Sequence, residues 1–171
     1  MHKLVVMGVA GAGKSTLAGE LARKMGCTLI EGDEHHLESS KAKMRAGIPL
    51  DDADREPWLD RLGDLMAKAD GAILTCSALK QRYRDRLRAR VAMLGFVFIE
   101  IDRVSAQQRV SARPSHLFPA SLVESQFAAL EPPLAEPGVV RVDAREALAA
   151  QVETVSGSLF RMAAELQAHR G

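Results

Sequence analysis

The sequence predicts an α/β fold: a five-stranded parallel sheet as the middle of three layers, helices on both faces, and a small basic lid. Three observations carry this expectation. Short apolar runs alternate along the chain with segments of helical periodicity, the pattern of a parallel sheet covered on both faces. The first run leads straight into Gly8-Val9-Ala10-Gly11-Ala12-Gly13-Lys14-Ser15, which fits G-x-x-x-x-G-K-[ST]. At 171 residues, 47% of them apolar, the chain is one domain's worth with core enough to bury such a sheet.

The elements follow in order. Leu4-Val5-Val6-Met7 suits a buried strand, and Leu17, Leu21 and Met25 recur behind it at helical spacing. Strand, glycine loop and helix start form the context of a phosphate-binding loop. Its glycines let several N–H groups point into one hollow at the positive end of the helix. Lys14 would reach the terminal phosphates, and the Ser15 hydroxyl would take one place on Mg²⁺. Gly8, Gly11, Ala12, Gly13, Lys14, Ser15 and Thr16 are therefore the candidate nucleotide-triphosphate site.

Further strands are expected at Thr28–Ile30, Ala72–Cys76, Phe96–Ile101 and Val139–Val142. Ligands of such sheets gather at the carboxyl ends of the strands. Asp33, just past the second strand, is placed to accept a proton from a substrate hydroxyl or to hold a magnesium-bound water. His36 lies one helical step further on, within reach of substrate.

Trp58, Leu59, Leu62, Leu65 and Met66 mark the next helix. Pro57 fits only a first turn, so Asp54 is expected as N-cap and Arg55 as first residue, pointing into the cleft as a carboxylate clamp. After the third strand, arginines stand at 82, 84, 86, 88 and 90. On a helix they split into stripes on nearly opposite sides, so most are expected to be solvated rather than to form one face. Lys80 and Arg84, nearest the strand end, are the ones positioned to meet an acidic substrate.

Arg109 and Arg113 lie one helical turn apart before Pro114, and the stretch 109–120 reads as a lid over bound phosphates. A capping box from Ser121 to Glu124 is expected to open the following helix, and Leu148, Val152, Val155, Leu159, Met162 and Leu166 mark the last one.

The remaining composition excludes more than it adds. A net charge of +1 gives no groove for a nucleic-acid backbone. No apolar run is long enough to cross a bilayer, and the first strand begins too close to Met1 for a signal peptide. Cys27 and Cys76 lack metal or redox spacing and are expected as small packed groups in a reducing cytosol. A soluble cytoplasmic protein is the expectation.

Four blocks of the chain resemble the gluconate kinases of the short phosphate-loop type, relatives of the shikimate and nucleoside-monophosphate kinases. They are Gly32-Asp33-x-x-His36, the stretch from Lys43 to Leu59, Cys76-Ser77-Ala78-Leu79-Lys80 with its following Tyr83-Arg84-Asp85, and Ser125-Gln126-Phe127 through Pro133. Leu37 and Ser40 stand where that family usually has proline and asparagine. The resemblance implies a P-loop kinase fold and ATP-dependent phosphorylation of D-gluconate at its 6-hydroxyl, with Mg²⁺, in a homodimer. It implies Lys14, Asp33 and Arg113 as catalytic residues and Arg109 on the nucleotide. Substrate contacts would come from Asp33, His36, Arg55, Lys80, Arg84, His116 and Gln126. Two rivals remain at this stage: a kinase of the same architecture for another small acid or polyol, and a module in which ATP only switches shape.

Overall fold

The structure, a computed structural model, describes residues 2–113 and 119–168, the side chains of 162–168 excepted. Five parallel strands form one sheet in the order β2-β3-β1-β4-β5: β1 Lys3–Met7, β2 Thr28–Glu31, β3 Ala72–Thr75, β4 Gly95–Glu100 and β5 Val139–Asp143. The helices are α1 Lys14–Met25, α2 Glu38–Arg45, α3 Asp52–Lys68, α4 Gln81–Arg90, α5 Arg103–Ser111, α6 Val123–Ala129 and α7 Leu148–Ala168.

The period of two along each strand divides the core. On β1, Leu4 and Val6 face one way and pack with Leu17 and Leu21 of α1, Val110 of α5 and Val152 and Val155 of α7. Val5 and Met7 face the other way, against Trp58, Leu59, Leu62 and Met66 of α3 and Tyr83 and Leu87 of α4. These are the three layers that the alternation predicts. The central strand β1 carries the phosphate loop, and the loops after β2 and β3 emerge beside it, which gathers the candidate residues at one edge.

Three local expectations are corrected. Helix α3 starts a turn earlier than Pro57 suggests, with Asp51 as N-cap. The Asp54 amide donates to Asp51 Oδ1 (2.8 Å) and the Asp51 amide to Asp54 Oδ2 (3.1 Å), a reciprocal box that fixes the true start. Pro57 forfeits one helical bond, but both it and Ala53, whose carbonyl loses the donor, lie on the exposed side where water replaces it.

The box from Ser121 to Glu124 does not form. A 3-10 turn, Ala120–Leu122, leads into α6 with no side-chain cap, and Glu124 instead pairs with Arg103 at 2.6 Å.

The arginines of α4 are paired rather than merely solvated. Arg82 meets Asp52 (2.7 Å) and Glu56 (3.1 Å), Arg86 meets Asp60 (2.6 Å), and Arg90 meets Asp60 (3.1 Å) and Asp64 (2.8 Å). Matching spacing of four on α3 and α4 makes this a ladder between two packed helices, a partner that lies outside any one window of sequence.

Candidate active site

The loop after β1 is shaped by backbone that only glycine tolerates. Gly11 has φ 83°, and a Cβ there would meet the Ala106 carbonyl oxygen at 2.9 Å. The first helical bond of α1 runs from the Leu17 amide to the Gly13 carbonyl (3.2 Å). The amides of Lys14, Ser15 and Thr16 are thus left without a helical acceptor, turned toward an anion. Gly11, Gly13, Lys14, Ser15 and Thr16 line the cleft; Gly8 and Ala12 lie behind it and shape the turn.

Lys14 folds back to the Val9 carbonyl, Nζ to oxygen 3.0 Å. Burial lowers its pKa below the ordinary lysine value, with the charge of Asp33 opposing that shift.

Glu31 was not among the residues singled out from sequence, yet it joins the loop to the sheet. Its Oε2 accepts the Ser15 hydroxyl (3.0 Å) and the Thr75 hydroxyl (2.7 Å). Thr75 Oγ1 in turn accepts the Gly32 amide at 3.1 Å. Gly32 is compulsory here, because a Cβ would stand 2.1 Å from the Thr75 carbonyl oxygen. The two strand ends touch, and this contact turns Asp33 into the cleft. Strand alternation alone does not distinguish Glu31 from any acid at a strand end.

Asp33 sits on a 3-10 turn, Gly32–His35, with 76% of its side chain exposed in the cleft. Enclosure by the cleft walls pushes its carboxyl up. The approach of His36 and the charges of Lys14 and Arg55 outweigh that and hold it below the usual carboxylate value. His36 Nε2 lies 3.7 Å from Asp33 Oδ1, with 3% of the His36 side chain exposed. The imidazole lies flat on the Trp58 indole, centroids 4.0 Å apart and planes inclined 16°. Trp58 Nε1 donates to the Gly32 carbonyl at 2.8 Å, so one side chain of α3 holds both the turn and the imidazole. Trp58 is the second site residue that sequence reading misses, since its spacing marks it only as part of the helix's apolar stripe.

Arg55 lines the cleft as well. One guanidinium nitrogen is 3.4 Å from Ser77 Oγ, and its carbon stands 5.6 Å from the Tyr83 ring centroid. Among the described residues no carboxylate pairs with it.

Lys80 and Arg84 behave otherwise than expected. Lys80 pairs with Asp52 at 3.0 Å, and Arg84, 1% exposed, is bound to Glu136 beneath the loop; neither lines the cleft. The acid–base ladder and the return of residues 131–136 take these charges, and neither is visible in the local sequence of α4.

Arg109 reaches the loop from α5, donating to the carbonyls of Gly11 (3.3 Å) and Ala144 (3.1 Å), while Arg113 lines the cleft itself. Gln126 also lines it, and its Oε1 accepts the Ala10 amide at 2.7 Å. His116 and the centre of the expected lid lie outside the described residues. Leu37 is exposed and Ser40 buried on α2, and neither lines the cleft. Cys76, buried with its thiol pushed up to about 12, is inert packing; Cys27 is half-buried, and both are free.

A phosphate loop, an ionised acid facing it across a shared cleft, and a cationic wall beyond define a P-loop kinase acting on a small molecule. A family profile described as an AAA domain matches residues 4–133. A gluconokinase of Gluconobacter oxydans is 45% identical over 81% of this chain and 80% of its own length. The chain belongs to the gluconokinase family of P-loop kinases. A gluconokinase crystal structure from Sinorhizobium meliloti superposes with a TM-score of 0.90 at 38% identity, covering 99% of this chain and 98% of that one. Shikimate kinase from Aquifex aeolicus, 16% identical, shares the fold at a TM-score of 0.59 over 94% and 98% of the two chains. No helix among the described residues is long and apolar enough to cross a membrane.

Proposed function

We propose that the chain transfers the γ-phosphoryl group of ATP to the 6-hydroxyl of D-gluconate, giving 6-phosphogluconate and ADP. The observation that carries this reading is Asp33: an acid held ionised and open to the cleft, under the charges of Lys14 in the phosphate loop and of Arg55, which no carboxylate pairs among the described residues. Arg55 takes the gluconate carboxylate and sets the far end of the acceptor. Asp33 accepts a hydrogen bond from the 6-hydroxyl and takes its proton as the oxygen bonds to phosphorus. A lowered pKa makes Asp33 a weak base. The reaction tolerates this, because the transition state is loose and needs little early deprotonation. Lys14 and Arg113 stabilise the charge on the transferring group, and the amides at the start of α1 cradle the phosphates.

Mg²⁺ fits the oxygens at the loop. Ser15 and Glu31 supply a hydroxyl and a carboxylate 3.0 Å apart, and no cluster of three or more acidic, histidine or cysteine ligands exists among the described residues. This suits an ion completed by water and nucleotide phosphates, whose contribution is to neutralise the β- and γ-phosphate oxygens. The stretch 1–171 acts as a single kinase domain in the cytoplasm, as a homodimer. The test is ADP release coupled to a panel of aldonic acids, neutral sugars and shikimate. Turnover with gluconate well above the others is expected; turnover of a neutral sugar at the same rate overturns the assignment.

A further inference from the structure

Ala78 has a left-handed backbone, φ 45°, and its side chain is buried. An L residue other than glycine, asparagine or aspartate rarely adopts this conformation. It lies in the loop from β3 to α4, one residue after Ser77. Ser77 reaches two parts of the site: its carbonyl accepts the Gly8 amide at 3.3 Å, and its hydroxyl meets Arg55 at 3.4 Å.

Beneath this loop lies Arg84, whose guanidinium spends its donors on main chain as well as on a carboxylate. Nη1 donates to the carbonyls of Ala78 (2.8 Å) and Leu79 (3.1 Å), and Nη2 to that of Glu131 (2.9 Å). Nε and Nη2 pair with Glu136. Two consecutive carbonyls converge on one nitrogen only because the backbone turns at Ala78. The other loop adds two bonds, Glu131 amide to Leu79 carbonyl (2.8 Å) and Gln81 amide to Glu131 Oε2 (2.7 Å).

We propose that Arg84 and Glu136 are positioning residues for the acceptor site: together they hold Ala78 left-handed, which sets Ser77 against both Gly8 and Arg55. A buried pair adds little stability over an apolar replacement, so its three main-chain contacts, not its charge balance, are what an apolar pair cannot replace. The inference rests on Arg55 as the carboxylate clamp, and it assigns Arg84 a role at one remove from substrate rather than on it.

The experiment compares the full-length wild type with Arg84→Lys, Ala78→Gly and the double variant. Three quantities are read: the gluconate KM, ATP affinity, and hydrogen exchange at the Gly8 amide. Arg84→Lys loses the fork, so the gluconate KM rises about tenfold with ATP affinity within about twofold, and Gly8 exchanges faster. Glycine adopts the left-handed region freely. Ala78→Gly added to Arg84→Lys therefore returns both KM and exchange toward wild type, with ATP affinity level throughout. An unchanged KM and exchange in Arg84→Lys, or no rescue in the double variant, overturns the proposal. Should Arg84→Lys fail to fold, Glu136→Gln is read by the same criteria, since it keeps the side-chain shape and removes the charge. A wild type inert toward gluconate refutes the substrate reading alone, and Gly8 exchange with its rescue then decides the loop.

Discussion

The Ser15 hydroxyl donates to the Glu31 carboxylate at 3.0 Å, tying the first turn of α1 to the end of β2. A second hydroxyl, from Thr75, meets the same oxygen, so two hydroxyls fix the carboxylate. A metal that coordinates Ser15 would find Glu31 already oriented. Glu31→Gln should weaken the apparent Mg²⁺ affinity by about 10–100-fold, while the gluconate KM stays close to wild type. A Mg²⁺ titration of turnover, alongside calorimetry of ATP binding with and without the ion, checks this. An unshifted Mg²⁺ dependence would remove Glu31 from the metal site.

Lys14 gives a prediction in which activity and stability move apart. Its ammonium is buried, so replacement by methionine removes a charge that the apo protein holds at a cost. Turnover should fall by at least about 10²–10³-fold, while the apo Tm stays level or rises. The pH dependence has a definite sign. The folded pKa is lowered, so between it and the ordinary value of 10.5 the unfolded chain binds the extra proton. Wild-type stability therefore gains from this group as pH rises through that window, and Lys14→Met lacks the gain. Thermal melts of both proteins across alkaline pH test it, and parallel curves would contradict it.

How much was legible beforehand follows the range of each interaction. The phosphate loop, the five strands and Asp33 are set by local pattern, and all three stand where the sequence puts them. Arg55 lines the cleft although α3 begins at Asp52 and not, as Pro57 suggests, at Arg55 itself. Arg84 shows the limit. Its spacing from the strand end matches a substrate ligand, but Glu136, 52 residues on, takes its charge. Glu31 and Trp58 escaped for the same reason: an acid at a strand end and an indole in an apolar stripe acquire roles only when β2, β3 and α3 are brought together.

Arg55 predicts acid specificity. Its guanidinium has a hydroxyl and an aromatic ring beside it but no described carboxylate, so it is available for the acceptor's own. Arg55→Ala should raise the gluconate KM by about ten- to a hundredfold, the loss expected for a charge-assisted hydrogen bond of about 1.5–3 kcal/mol. Neutral sugars, already poor, should be unaffected. Steady-state kinetics with gluconate and glucose on both proteins make the comparison. An equal loss on both substrates would show that Arg55 acts on the fold of the cleft and not on the carboxylate.

The last prediction separates Asp33 from His36. Asp33 is open to the cleft, whereas His36, which lines the same cleft, is packed between it and Trp58 with little exposure and with Nδ1 buried and unpartnered among the described residues. Asp33→Asn keeps the shape and loses the base, so ATP affinity should persist while kcat drops by about 10²-fold, the low end for general-base catalysis because the transition state is loose. His36 works mainly by holding Asp33. Its removal frees the carboxylate to swing and takes away one of the influences that keep its pKa low. His36→Ala should therefore lower kcat by about tenfold, in addition to any rise in gluconate KM. The acid limb of kcat against pH should also move upward, since the carboxyl regains a more ordinary value. In the double variant the two losses should not add, because His36 has no carboxylate left to position. A full His36→Ala loss on top of Asp33→Asn would mean that the imidazole acts on the reaction directly.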